Sequence, residues 1–123
     1  MNQGEQKKLL VSLKQEEEEI LSELATFTQK DPHVEGGFSV SFPNEGSGVD
    51  ENAREIEEFE RLNALKNNLE KRLRDIRVAI KKLEGGLYGK CENCSNMIES
   101  TRLWAAPIAR FCINCTRQNP RET

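Results

Sequence analysis

The chain has 123 residues, of which 36% are hydrophobic and 32% are charged, with a formal net charge of −3. This length allows one domain or a small module with an extension, and this composition argues against a large globular core. No segment approaches the ~18 consecutive apolar residues of a membrane span. The charge is unevenly distributed, with a balance of −8 in residues 1–69 and +5 in residues 70–123. A uniformly basic nucleic-acid binder would not show this pattern.

Apolar residues at helical spacing predict a first helix over residues 5–30. The acidic run Glu16–Glu19 is interpreted as a solvated part of its surface. Pro32 disfavours helical geometry at Asp31, so the helix is expected to end there. The apolar stripe consists of Leu10, Leu13, Ile20, Leu24 and Phe27.

Residues 31–49 predict a loop, because they contain four glycines and two prolines. Phe38, Val40 and Phe42 alternate with serines, which is typical of a short extended segment. A loop of this length is unusual inside a compact domain. We therefore expect it at the free end of a helical hairpin.

A second helix is predicted over residues 50–84, followed by a stop at Gly85-Gly86. Arg72 interrupts its apolar stripe, and Asp50 and Glu51 suit its N-terminal end. About 35 residues would make a rod of roughly 50 Å. The stripe consists of Leu62, Leu65, Leu69, Ile76, Ala79 and Leu83.

Two long amphipathic helices joined by a loop predict a mainly α fold, an antiparallel coiled-coil hairpin within one chain. The same stripes could instead pair between chains. We expect the hairpin to occupy residues 1–84, with a tip loop at about 31–50. A small four-cysteine zinc-finger module at the base of the hairpin is expected to occupy residues 85–123.

The four cysteines form two C-x-x-C pairs, Cys91/Cys94 and Cys112/Cys115, separated by seventeen residues. This spacing is typical of a structural zinc site, in which four thiolates surround one ion and leave no position open for water. An iron–sulfur centre, two disulfides or a redox C-x-x-C are weaker alternatives. The chain begins without an apolar leader, so we expect reduced thiols and a cytoplasmic protein.

Several apolar residues near the cysteines are expected to form a small core around the metal, and Trp104 is interpreted as core rather than as a base-stacking platform. Basic side chains in the same segment are expected to offset the charge of the metal site, with phosphate binding as the alternative role. The expected core residues are Met97, Ile98, Leu103, Trp104, Ile108 and Phe111, and the cations are Lys90, Arg102, Arg110 and Arg117.

The segment from about Ala53 to Cys115 resembles the DksA/TraR family of RNA polymerase-binding transcription factors. The resemblance rests on K-K-L-E-G-G-L-Y-G-K-C-E-N-C, on I-E-S-T-R-L-W-A-A-P-I-A-R-F-C and on the four cysteines. It implies a regulator that inserts the tip of its coiled coil into the polymerase secondary channel and modulates initiation.

The resemblance also implies an acidic tip pattern, D-x-x-D-x-A, which falls on Gly48, Glu51 and Ala53 in an ungapped alignment from Cys91. Glu51 and Ala53 match the pattern, whereas Gly48 replaces the first acidic residue and Asp50 lies nearby. Because Gly48 replaces an acidic residue, it affects three properties that the resemblance implies. These are the activity of the tip, whether that activity increases or decreases transcription, and any cooperation with the alarmone ppGpp.

Two other classes of function were compared with this interpretation. A nucleic-acid-binding zinc module with a dimerising hairpin would bind DNA or RNA alone, but the acidic first part of the chain counts against it. An enzyme is not expected, because the one histidine, His33, has no nucleophile-and-base signature around it.

Overall fold

The computed structural model describes residues 2–34, 37–40 and 49–118, with side chains from residue 53 onward in the last range. The fold is mainly helical, and its two long helices form a hairpin, as predicted. Among the described residues, no helix is long and apolar enough to cross a bilayer. The elements are α1 (Gln3–Phe27), β1 (Thr28–Lys30), β2 (Phe38–Val40), α2 (Val49–Gly85), α3 (Ser100–Ala105) and α4 (Ile113–Gln118).

Helix α1 is capped at its start by Asn2, whose Oδ1 accepts a hydrogen bond from the Glu5 N–H at 2.8 Å. The helix ends at Phe27 rather than at residue 30, so the predicted C-terminal bound was wrong. Thr28 Oγ1 donates to the Leu24 carbonyl at 2.6 Å in the last turn. The next residues pair with a second strand, which supplies the backbone partners that a further helical turn would have provided.

Strands β1 and β2, together with the turn between them, are called the arm below. The strands are antiparallel, with Thr28 opposite Val40 and Lys30 opposite Phe38. In the turn, Asp31 Oδ1 accepts from the His33 N–H at 2.9 Å. The predicted extended segment is confirmed over Phe38–Val40, while Phe42 lies outside the described residues.

Helix α2 begins one residue before and ends one residue after the predicted range of 50–84, and it is about 55 Å long. Gly86 has a φ of 74°, and the Leu87 N–H donates to the Lys82 carbonyl at 2.8 Å. This six-to-one hydrogen bond around a left-handed residue is the Schellman termination. The predicted stop at the glycine pair is confirmed.

The chain divides into two compact units, each containing part of α1 and part of α2. The cysteine unit comprises residues 1–15 and 75–123, and the arm unit comprises residues 16–74. In the cysteine unit, Lys14 Nζ lies 3.6 Å from Glu84 Oε2, which links the start of α1 to the end of α2. The modular boundary expected at residue 84 stays a prediction. The cysteine unit buries Leu13, Ile76, Ala79 and Ile80 on these helices.

The arm unit buries Ile20, Leu24 and Leu73, and it also contains the interruption of the α2 stripe. Arg72 donates from Nη2 to both oxygens of Glu16, at 2.9 and 3.1 Å. Glu16 is therefore the partner of the residue that breaks the stripe, and the expectation that its whole acidic run is solvated was wrong at this position. A bidentate pair of this kind fixes the register of two helices as well as joining them.

We expect Leu24→Ala to reduce the free energy of unfolding by about 2–5 kcal/mol, because Leu24 is 0% exposed and its loss leaves a cavity. Urea denaturation measures the change. Val11→Ala is the control, since Val11 is 67% exposed and its replacement should change stability by less than about 0.5 kcal/mol. Equal effects of the two substitutions would contradict the assignment of Leu24 to the core.

Candidate metal centre

The first cysteine pair lies in a tight turn that follows the end of α2. The Cys91 N–H donates to the Asn96 carbonyl at 2.8 Å, and the Ser95 N–H donates to the Cys91 carbonyl at 3.0 Å. Ser95 has a φ of 63°, a left-handed conformation that lets the chain reverse just after Cys94. The turn therefore brings both thiols of the pair to one side.

The second pair lies at the start of α4. Cys112 precedes the helix and Cys115 lies in its first turn, where the Thr116 N–H donates to the Cys112 carbonyl at 2.9 Å. The Glu92 N–H donates to the Arg110 carbonyl at 2.9 Å. This backbone hydrogen bond joins the first turn to the segment that enters the second pair.

The four Sγ atoms lie within 4.8 Å of one another, and those of Cys94 and Cys112 are 3.7 Å apart. Four sulfurs bound tetrahedrally at about 2.3 Å from one ion would be about 3.8 Å apart. All four cysteines are free thiols. The structure therefore brings together all four residues of the expected ligand set in a geometry that a tetrahedral metal ion fits.

The surroundings of the thiols favour a bound cation. Burial raises the pKa of Cys91, but the backbone N–H groups of Cys94, Cys112 and Asn93 outweigh it and lower that pKa to about 6. At Cys115 the Asn93 amide lowers the pKa, while burial and the other three sulfurs together raise it to about 12. Four neighbouring thiolates would repel one another, and a bound metal ion would offset that repulsion.

A small apolar cluster surrounds the thiols, and it differs from the expected one. Met97 and Trp104 are 64% and 59% exposed, so assigning them to the core was wrong. Trp104 lies on α3, a six-residue helix that buries Leu103 instead. The cluster consists of Tyr88, Ile98, Leu103, Phe111 and three of the cysteines, with Leu9 and Leu83 packed against it.

Two of the expected cations are engaged by other groups. Arg102 donates from Nε to the Phe111 carbonyl at 2.9 Å and from Nη2 to Thr116 Oγ1 at 3.1 Å, so it contacts the residues directly before Cys112 and directly after Cys115. Arg110 Nε donates to Glu92 Oε2 at 2.6 Å. Lys90 and Arg117 have exposed side chains.

Glu92 is a residue that the sequence reasoning missed. Its carboxylate accepts from Arg110 and, at 3.0 Å, from Lys82 on α2. Burial raises the pKa of Glu92, and these two cations outweigh it, so the pKa lies below its usual range. The available signal in the sequence was an acidic residue between Cys91 and Cys94, shortly after the basic C-terminal end of α2.

The expected tip residues belong to the arm unit. Gly48 lies outside the described residues, as do the side chains of Asp50 and Glu51, whose backbone belongs to the first turn of α2. Ala53 is exposed. The tip assignment thus stays a prediction.

No protein-family model matches the chain. An uncharacterized protein of Aquifex aeolicus (strain VF5) is 43% identical over 51 residues, which cover 42% of this chain. That match spans about a third of the Aquifex protein, 35% of its length.

The solved structure of transcription factor DksA2 from Pseudomonas aeruginosa is similar to this one, with a TM-score of 0.60 and 23% sequence identity. The similarity covers 98% of this chain and 81% of the Pseudomonas protein. The two proteins share a fold, so the resemblance noted in the sequence is confirmed at that level.

We expect Tyr88→Phe to reduce the free energy of unfolding by about 1 kcal/mol at pH 8, because the Tyr88 hydroxyl donates to the Pro107 carbonyl at 2.7 Å. Burial raises the pKa of Tyr88 to about 12, above the value of about 10 in an unfolded chain. The native protein therefore keeps this contribution below pH 10 and loses it progressively between pH 10 and 12.

The stability difference between the wild type and the Tyr88→Phe variant should consequently narrow above pH 10, since phenylalanine does not titrate. Urea denaturation at a series of pH values measures this difference. A difference that stays constant to pH 12 would show that the hydroxyl does not titrate as a buried group.

Proposed function

We propose that this chain is a transcription regulator of the DksA/TraR type that acts by binding RNA polymerase rather than by catalysis. The observation that carries the proposal is the fold shared with DksA2 over 98% of the chain, which includes both long helices and the cysteine cluster. The family motif around Cys91 and Cys94 supports it from the sequence. Such a regulator would act in the cytoplasm, where its partner is.

The charge distribution supports binding in one orientation. The arm unit carries a net charge of −8 and the cysteine unit a net charge of +5. Complementary potentials steer a polarised protein into one orientation on a charged partner. In the proposed complex, the acidic arm unit is the part that enters the secondary channel.

Asp50 and Glu51 are the side chains proposed to act near the polymerase active centre, with Ala53 completing the family pattern. Carboxylate oxygens are the ligands that a hard cation such as Mg²⁺ takes. Two carboxylates at the start of α2 could therefore alter the active centre or the nucleic acid near it. Gly48 removes one acid from the pattern, so we expect Asp50 to contribute in its place.

The metal is proposed to be one structural Zn²⁺ held by Cys91, Cys94, Cys112 and Cys115. Four thiolates match zinc in softness and in tetrahedral geometry. Bound zinc would offset half of the charge of four thiolates and join the segment after α2 to α4. Asn93 would support the site, because its Nδ2 donates to Cys115 Sγ at 3.3 Å.

The test of the function is binding to purified core RNA polymerase, followed by competition with a protein already known to occupy the secondary channel. We expect saturable binding that the competitor abolishes. Binding to DNA or RNA alone, with a steep loss of affinity as salt rises, would replace the proposal with the nucleic-acid alternative. That alternative is favoured by one observation, the exposed ring of Trp104 on the basic unit.

We expect Cys91→Ser to lower the zinc content from about one ion per chain towards zero and to lower the melting temperature, because structural zinc contributes folding free energy. Elemental analysis and thermal denaturation measure the two effects. Thr101→Ala, an exposed residue of α3, is the control and should keep the metal. A wild-type protein that melts at the same temperature with and without a strong chelator would contradict a structural metal.

We expect Asp50→Ala/Glu51→Ala to retain polymerase binding while losing the effect on transcription, because the change removes carboxylates without altering the hairpin. In vitro transcription and a binding assay measure the two outcomes. Glu57→Ala/Glu60→Ala removes the same charge from exposed positions farther along α2 and should keep activity. Full activity of the first variant would exclude these two residues from the mechanism.

A further inference from the structure

Two charged side chains of α2 are buried in the arm unit, and no function described above uses them. The side chains of Lys66 and Glu70 are 8% and 7% exposed. Charged groups are rarely buried this deeply unless they are paired. The two residues are one turn apart on α2, and each directly follows a residue of the predicted stripe, Leu65 or Leu69.

The ammonium group of Lys66 is directed to the arm. Its Nζ donates to the carbonyl of Phe38, the first residue of β2, at 3.2 Å. The same atom is 3.9 Å from Glu70 Oε1, which is too far for a hydrogen bond. Glu70 Oε1 is buried and accepts no hydrogen bond from any described group.

This geometry indicates that the arm, rather than Glu70, determines where the ammonium lies. A lysine and a carboxylate free to approach each other would close to about 2.8 Å. The order of the two residues along α2 also weakens their attraction, since lysine before glutamate is the weaker arrangement for an i, i+4 pair on a helix. While the arm is docked, the ammonium is therefore hydrogen-bonded to the Phe38 carbonyl and not to Glu70.

A two-stranded hairpin is marginally stable alone in water, so the arm depends on contacts with the helices. If the arm separated from α2, the Lys66 ammonium would be able to turn to Glu70, and water would reach the oxygen that lacks a partner. The two residues would then form an ordinary solvated pair on the surface of one helix.

We propose that Lys66 is a positioning residue that latches the arm onto α2 through the Phe38 carbonyl, and that Glu70 is the counter-ion that receives the ammonium when the arm is released. The arm and the start of α2 flank residues 41–48 in the chain. If the proposed function holds, the latch determines how the tip is presented to the polymerase, and releasing it changes the regulatory effect.

The test replaces the pair by apolar side chains of similar size, in the double variant Lys66→Met/Glu70→Leu. Such replacements of buried ion pairs commonly preserve stability, so the variant is expected to fold. Amide hydrogen exchange should become faster by about tenfold or more in β1 and β2 and stay unchanged in α1 and α2, because only the arm loses its docking contact. The single variant Lys66→Arg retains the charge and the hydrogen-bond donors, so it should keep much of the protection of β1 and β2 against exchange.

The control is Glu58→Leu/Arg61→Met, which removes an exposed pair from the same helix, with Arg61 Nη2 at 2.6 Å from Glu58 Oε1. It should leave exchange in the arm unchanged. Unchanged exchange in the arm of the double Lys66/Glu70 variant would overturn the proposal. An equal increase in α1, α2 and the arm would also overturn it, because that result describes general destabilisation.

A transcription assay with the same variants separates this proposal from the proposed function. Altered regulation by the Lys66/Glu70 variant, with binding to core polymerase retained, supports the latch as a determinant of tip presentation. Hydrogen exchange tests whether Lys66 holds the arm on α2, and this measurement needs no polymerase. If hydrogen exchange confirms the role of Lys66 but the protein does not bind polymerase, the proposed function is refuted and the latch is not.

Discussion

The cysteine unit depends on one constraint, the repulsion that its four clustered cysteine sulfurs would have as thiolates. Few side chains are buried around Cys91, Cys112 and Cys115, and the local helices α3 and α4 have only six residues each. Helices this short do not persist without tertiary contacts. A metal ion at the centre would convert the repulsion into attraction and give both helices a common anchor. Arg102 and Glu92 then act as supports, since they hold the two cysteine-bearing segments by backbone and charged hydrogen bonds.

Helix α2 uses charged side chains as well as apolar ones in its contacts with other elements. Arg72 meets Glu16 across the hairpin, and Lys66 meets the arm. Each of these contacts joins one donor to a specific acceptor, and directed contacts of this kind favour a single register. The arm unit is thus defined by directed contacts as much as by burial of apolar area. This suits a segment whose proposed task requires a defined arrangement at the start of α2.

The sequence predicted the elements whose signals are local. The stop of α2 at Gly85-Gly86 and the extended character of Phe38–Val40 follow from glycine conformation and from alternation, and both are confirmed. Strand β1 was missed because Thr28–Lys30 continues a helical pattern and becomes a strand only through a partner about ten residues away. Trp104 was misassigned because α3 could not be oriented from so short a segment. The cysteine spacing indicated which thiols meet, but it could not reveal that Glu92 joins Lys82 to Arg110, since that contact depends on how the turn folds back on α2.

The position of Trp104 has a consequence for spectroscopy. It is the one tryptophan of the chain, and more than half of its surface faces solvent. Its fluorescence would change little when the hairpin core unfolds, because more than half of the residue already faces water. The emission would instead respond to a surface that covers α3. The protein thus carries an intrinsic optical probe on one face, and that face is remote in sequence from the acidic residues at the start of α2.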